Sequence, residues 1–313
     1  MDSQAALEMA RRTATRALNF DPGNAAALDA LSTVQFIEFK NQTTLSTART
    51  SVRLNPGLAM ARASLAHAMA INGHGEDALA EADRAMALDP SPDTYVSSRL
   101  AIVYFLGDRF ETAARLSAEI TRKAPNWYDG HVGVIVANGE MGRLEEAKKS
   151  VEAIKTKHWP ALNWRLSSIF SSHWHPDALA KWLSAMAKGG VPEWPYGFRD
   201  DPAKRLGEDE IRALVVGKRM RGQAIYNMDF DQDIHADGRM AYSNAWAKTR
   251  GRWTLEGDRF HARSDYVFSN QEYFGYFYHN ETPTQDNPHP YIHINMWDRY
   301  YFSITEIQRG DGT

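Results

Sequence analysis

Three histidines and an aspartate gather near the end of this 313-residue chain, His279, Asp286, His289 and His293. Imidazoles beside a carboxylate can hold a divalent metal or move protons. A proline-bounded strand with satisfied histidines accounts for the same letters, so no catalytic residue is assigned. Asp229, Asp231, Asp233 and Asp237-Gly238 have the outline of a calcium loop. Such a loop needs glycine at its sixth position and glutamate at its twelfth. Ile234 and Met240 stand there instead, and alternation along a strand puts the three aspartates on one solvated face, so no metal site is assigned. The aromatic run Tyr273 to Tyr278, with Tyr291 and Tyr300-Tyr301, has the makings of a pocket for a flat or apolar ligand. Tyr276, Tyr278, Tyr291 and His293 are its candidate lining. The stretch 217–222 lacks the spacing and hydroxyl of a phosphate loop, and no Gly-x-Ser-x-Gly elbow occurs. No cofactor is implied.

Composition narrows the classes further. Lys and Arg number 36 against 39 Asp and Glu, a formal net charge of −3, which gives no reason to expect nucleic acid or an anionic membrane. The absence of cysteine removes disulfides, cysteine-ligated zinc and thiol chemistry. The N-terminus has no apolar core of signal-peptide length, and no run approaches 18 apolar residues. A cytoplasmic protein is the expectation.

The elements that must position any site come in two kinds. Asp21-Pro22, Asn55-Pro56 and Asp89-Pro90 stand 34 residues apart, and Pro125 and Pro160 continue the series at 35. Each dipeptide closes an alanine-rich helical segment, and two helical patterns fit each interval. That period predicts a helix–turn–helix solenoid. Asn24 is placed to cap a helix, Gly73 and Gly107 to end helices, and Ala78, Ala82 and Ala85 to form a small packing face. Residues 4–19 match the second helix of a repeat whose first is missing, which predicts either a half-repeat cap or a fragment of a longer protein. A last helical pair, 161–171 and 176–188, carries Trp164, Trp174 and Trp182 and is expected to cap the end of the stack.

After a proline-rich connector at 191–214, which includes a short helix at 208–214, the period changes to alternation. About eight short strands follow between 215 and 307, with hairpin signals at Asp237-Gly238 and Gly257-Asp258. Eighteen of the chain's 35 aromatic residues lie between Tyr226 and Phe302. The expectation is an α+β multidomain chain: a solenoid over 1–190, a connector over 191–214, and a small antiparallel β-barrel or sandwich over 215–307.

The repeat residues Leu65-Ala66, Met69, Gly73 and Ala78, with Leu100-Ala101, Tyr104 and Gly107, resemble the tetratricopeptide repeat. Thr44 and Ser51 depart from its alanines, and Leu28 and Arg62 from its first-helix tryptophan. Residues Gly189 to Glu193 together with Gly251, Trp253, Gly257 and Asp258 are similar to the repeat and β-domain region of bacterial, alphaproteobacterial class III nucleotide cyclases. Phe260 and His261 stand where those β domains often carry a cysteine, and no cyclase domain is present. The resemblance implies a regulatory or scaffold segment and transfers no catalytic residue. The tetratricopeptide register assigns the partner-facing surface to Asp29, Thr33, Phe36, His67, Ile71, Tyr95, Ser98, Ile102 and Phe105. Asp29 and Ala63 stand where a clamp for a terminal carboxylate would need a cation and an amide, which speaks against chaperone-tail recognition. A scaffold that binds a peptide or partner protein in the repeat groove is the favoured function. A regulatory or ligand-sensing segment, with a small molecule in the β domain, is the alternative.

Overall fold

The computed structural model describes residues 3–224, 228–245, 248–264, 272–285 and 288–307. It divides into two compact units. One comprises residues 1–159 and 170–191, the other residues 160–169 and 192–313.

The first unit begins with helix α1 (Ser3–Phe20) and continues as four helix pairs. Their first helices are α2 (Ala25–Ile37), α4 (Ala59–Ile71), α6 (Thr94–Leu106) and α8 (Tyr128–Glu140), each of 13 residues. Their second helices are α3 (Asn41–Leu54), α5 (Gly75–Leu88), α7 (Phe110–Lys123) and α9 (Leu144–Lys157), each of 14. This is a tetratricopeptide-like array of paired helices. Alanines make the close helix contacts, with Ala48, Ala61, Ala78 and Ala82 wholly buried.

The proline series has a shared local chemistry. Asp21, Asn55 and Asp89 each accept a hydrogen bond on a side-chain oxygen from the backbone N–H two residues on, at 2.9, 3.1 and 3.1 Å. Helices α1, α3 and α5 therefore each stop at an Asx turn whose proline cannot continue the helix, whereas α7 and α9 end at Ala124 and His158. Asn24 and Asp93 then cap α2 and α6.

Within every pair, the turn is three residues long and its middle residue is left-handed: Phe39 (φ 60°), Gly73 (φ 86°), Asp108 (φ 62°) and Gly142 (φ 70°). The following N–H reaches back to the carbonyl five residues earlier, from Lys40, His74, Arg109 and Arg143 at 2.8–2.9 Å. That bond is the Schellman closure, which needs a positive φ at its centre. The expected Gly107 is not that centre; its φ is −88°, and Asp108 takes the left-handed place.

The expected final helical pair does not cap the stack. Helix α10 (Trp164–Phe170) starts within the segment that belongs to the second unit, where Asn163 Nδ2 donates to the Met296 carbonyl at 2.9 Å. Helix α11 (Pro176–Lys188) belongs to the first unit and touches α8, α6 and α4 in turn. It rests most on α8, the first helix of the last pair, and runs on across the first helices α6 and α4.

The second unit is a closed antiparallel barrel of eight strands in sequence order: β1 (Lys218–Ala224), β2 (Met228–Ile234), β3 (Arg239–Asn244), β4 (Lys248–Glu256), β5 (Arg259–Ser264), β6 (Tyr273–His279), β7 (Tyr291–Asn295) and β8 (Arg299–Glu306). Strand β8 pairs back onto β1, with Arg221 opposite Ser303, so no edge remains among the described strands. Gly238 (φ 82°) and Gly257 (φ 60°) turn the two hairpins that the sequence signals. Phe230, Trp253, Phe260, Phe277 and Phe302 fill the interior, and helix α12 (Glu208–Val215) adds Ile211 and Val215 to the same core. The connector preceding α12 is packed rather than loose. Trp194, 1% exposed, sits in a second cluster on the outer wall with Tyr276, Tyr278 and Ile294.

A Cβ at Gly222 would fall on the Tyr301 carbonyl oxygen and crowd the Phe302 Cα, both backbone atoms. Gly222→Ala is therefore expected to lower barrel stability by about 3 kcal/mol, read as an earlier urea transition of the β unit with the helical circular-dichroism transition unmoved.

Candidate functional site

The nine residues assigned to the partner-facing surface lie on α2, α4 and α6, and their exposures divide them. Asp29, His67, Ile71, Ser98 and Phe105 are buried, Thr33, Phe36 and Ile102 half-buried, and Tyr95 exposed at 38%. The contacts of α11 and the segment before it explain the covered part. Trp182 meets Phe105 edge-on at 5.4 Å between centroids. His175 N–H donates to the Ile71 carbonyl at 2.7 Å. His173 lies against Phe36 at 5.3 Å, and Phe36 in turn against His67 at 4.9 Å. The C-terminal halves of the first helices are thus covered by this chain's own residues.

The other halves carry a polar cluster centred on Arg99. Its guanidinium donates to the hydroxyls of Ser64, Tyr95 and, at 3.1 Å, Thr33, and stacks over the Tyr95 ring with Cζ 4.5 Å from its centroid. On the same helix, the Ser98 hydroxyl accepts the indole N–H of Trp127 at 3.0 Å. Residues separated by 94 positions (127 − 33 = 94) therefore meet on one surface. Burial pushes the Asp29 carboxyl above its usual range, against the opposing pull of Ser64 and Arg99. Burial likewise holds His67 neutral, with the Arg99 charge adding to the effect. Each keeps a buried side-chain atom, Asp29 Oδ1 and His67 Nε2, without a hydrogen-bond partner among the described residues.

Arg99 is the residue that the sequence reading missed. A clamp cation is expected at the fifth residue of the helix, which is Asp29 in α2, Ala63 in α4 and Ser98 in α6. The cation is the sixth of α6, where Ser64 is the sixth of α4. Its spacing of four from Tyr95 was the available signal, because i and i+4 share a helix face.

The four residues assigned to a β-domain ligand are not brought together. Tyr276 and Tyr278 project outwards into the cluster around Trp194, whereas Tyr291 and His293 belong to the interior. Alternation along β6, with Phe277 inside, forces the separation. Arg205 fixes the outer pair: its Cζ stands 3.5 Å from the Tyr276 centroid, and it pairs with Asp200, whose carboxylate also accepts from the Tyr278 hydroxyl. Burial pushes the Asp200 pKa up, but the hydrogen bonds from Arg205 and Tyr278, together with the Arg205 and Arg165 charges, leave it below its ordinary value.

The histidines diverge as well. His293 is stacked on Phe277 at 4.4 Å with neither ring nitrogen hydrogen-bonded among the described residues, His289 meets the Ser303 hydroxyl at 3.0 Å, and His279 is exposed beside Tyr291. Asp286 lies outside the described residues. Of the three aspartates on β2, Asp231 and Asp233 are each held bidentate by Arg221 and Arg219 across the β1 ladder, at 2.6 and 2.9 Å in both pairs. Asp229 is exposed and stands opposite Gln223. Asp233 is buried with its arginine, so this strand is not the wholly solvated face expected. No group of three or more His, Asp or Glu arranged to hold a metal occurs among the described residues. No helix among them is long and apolar enough to cross a membrane.

No protein-family model matches the chain, and no curated protein matches it. Among solved structures it is similar to MamA, at 19% identity over 50% of this chain and 90% of that one, with a TM-score of 0.38. It is similar to YrrB, described as a TPR protein with an unusual peptide-binding site, at 16% over 55% and 84%, TM-score 0.37. PilW, a type IV pilus biogenesis factor, gives 16% over 58% and 82%, TM-score 0.42.

Burial lowers the His293 pKa to about 3. In the unfolded chain it titrates near 6.5. The unfolded state therefore binds the extra proton first as pH falls, and stability drops by about 1.4 kcal/mol per pH unit below 6.5 for this residue. Urea unfolding of the barrel at pH 7 and pH 5 should show that drop. His293→Phe, which keeps the ring stack, should remove most of it.

Proposed function

We propose that the chain is an interaction scaffold that recognises a peptide or a segment of a partner protein on the first-helix surface of its helical unit. The observation that supports this most is the convergence of Thr33, Ser64, Tyr95, Arg99, Ser98 and Trp127, from four successive repeats, on one polar cluster. Single repeats cannot build such a surface, and stacked repeats build it at low cost because each contributes one or two side chains. The guanidinium's hydrogen-bonded partners in this cluster are neutral hydroxyls, and with the Asp29 carboxyl as its nearby countercharge it anchors a polar surface that suits an acceptor-rich segment at the Tyr95 rim. Tyr95 supplies the exposed aromatic contact.

The barrel serves this scaffold as a rigid second module. Its interior is filled by aromatic side chains around His293, which favours a structural role over a small-molecule site. The residues that resemble the cyclase-associated region have structural posts. Gly189 packs on Ile135, Trp253 lies in the barrel core, and Gly257-Asp258 turns β4 into β5. A regulatory role for the segment is carried by that resemblance alone.

Crosslinking capture with the full chain, analysed by mass spectrometry, tests this reading. Tyr95→Ala should lose the proteins that wild type retains, at least tenfold, with the circular-dichroism melt preserved. Asp237→Ala, on a barrel hairpin, should retain them. Equal retention by Tyr95→Ala would remove the first-helix surface as the site.

A further inference from the structure

Helix α11 carries its own start and stop. Pro176 opens it, the His175 ring accepts from Asp177 N–H, and Gly190 (φ 88°) closes it. Its buried face is Ala178, Trp182, Ala185 and Met186, and its other face exposes Asp177, Ala180, Ser184, Ala187 and Lys188. One end is fitted backbone to backbone. A Cβ at Gly139 of α8 would lie 2.7 Å from the Ala185 carbonyl oxygen, and one at Gly189 would lie 2.6 Å from Ile135 Cγ2. The middle rests on Trp182, which packs on Phe105 and on Trp174.

The turns between paired helices add an independent observation. Gly73 and Gly142 meet the demand for a positive φ without strain, but Phe39 and Asp108 do not. Phe39 is stacked on His173 at 4.6 Å, and Asp108 accepts from Lys181 Nζ at 2.7 Å. Lys181 also donates to the Leu106 carbonyl at 2.8 Å. The two turns that carry a strained side chain are thus two that use it to hold α11 or the residues leading into it. The turns demand that conformation whether or not the segment is docked, so the two side chains act as latches at the surface: Phe39 is 39% exposed and the Asp108 side chain 73%, and contacts of that kind are readily broken.

We infer that α11 is a resident, displaceable ligand of the first-helix surface. In its place that surface accepts an amphipathic partner helix with an indole followed by small residues three and seven positions later, as in Trp182, Ala185 and Gly189. The inference rests on the first-helix surface being the recognition face and names the partner class it takes. The small residues are required by the close approach to Gly139 and Ile135, and the indole by the Phe105 contact. A tethered resident helix competes at high effective concentration, so wild type binds such a partner weakly until α11 is loosened.

The probe is a labelled synthetic peptide of residues 171–191, titrated into the full chain by fluorescence anisotropy. Trp182→Ala and, separately, Lys181→Glu in the chain loosen α11 but leave the surface and the peptide intact. Each should bind the peptide at least tenfold more tightly than wild type. Asp108→Gly keeps the turn and removes the Lys181 contact; a purely structural α11 then exchanges only together with α6 and α8. Displaceability predicts at least tenfold faster amide hydrogen exchange in α11, with α6 and α8 still protected. Equal peptide binding by all chains, binding by none, or exchange of α11 only together with α6 and α8 would overturn the inference. A dimer formed by exchange of α11 would assign the surface to a second copy of this chain and would also contradict it. Loss of partner capture in Tyr95→Ala alongside any of these results would leave the recognition face standing and remove only α11 as its model ligand.

Discussion

Every paired turn in the helical unit must place one residue in the left-handed region. Three-residue turns between helices of fixed length leave no other way to satisfy the last carbonyls of the first helix. The requirement recurs at intervals of 34, 35 and 34 residues (73 − 39, 108 − 73, 142 − 108), and the helices inherit their register from it. Glycine is the low-cost answer. Phe39 and Asp108 adopt a conformation that costs an L-residue roughly 1 kcal/mol, and both spend their side chains on the segment that covers the first-helix surface. Local backbone chemistry and the state of the candidate site are therefore linked through the same two residues.

The helical surface has two halves with different chemistry. The C-terminal halves of the first helices are apolar and covered, with Ile71 and Phe105 almost wholly buried. The other halves gather hydroxyls and a guanidinium, with Tyr95 at the rim. A bound segment that crossed both would bury an apolar helix face beside a polar anchor, the usual division between an interface core and its specificity contacts. The barrel unit spends its polar groups differently. Arg219–Asp233 and Arg205–Asp200 are satisfied pairs that fix strands and connector, and removing one partner of the buried Arg219–Asp233 pair would strand the other.

Much of the fold was legible because turns are local. Asp-Pro and Asn-Pro marked the repeat ends through a side-chain bond two residues long, and Asp-Gly and Gly-Asp marked the hairpins. The fate of α11 was not legible. Proline before it and two glycines after it delimit a helix whether it stacks on the last pair or crosses the first helices. The choice is made beyond α8, by Trp182 meeting Phe105 on α6 and the His175 N–H meeting the Ile71 carbonyl at the end of α4, which are contacts distant in sequence. Arg99 was missed by a single position, about 100° of helix rotation. In β6, "YFGYFYH" has aromatics on both parities, so pattern could not say which face of the wall is inside. Only closure of the barrel puts Phe277 inwards and Tyr276 and Tyr278 outwards.

The central claim is that α11 occupies a surface made for a partner helix. Because the chain lacks cysteine, spin labels can be placed at will, and Ser184→Cys on α11 with Arg115→Cys on α7 are both exposed positions. Pulsed electron–electron distance measurement between them, with and without excess unlabelled peptide of residues 171–191, reads the position of α11 directly. The account predicts one narrow distribution for the chain alone and a second, broader and longer population when the peptide is added. A single narrow distribution unchanged at saturating peptide would contradict it.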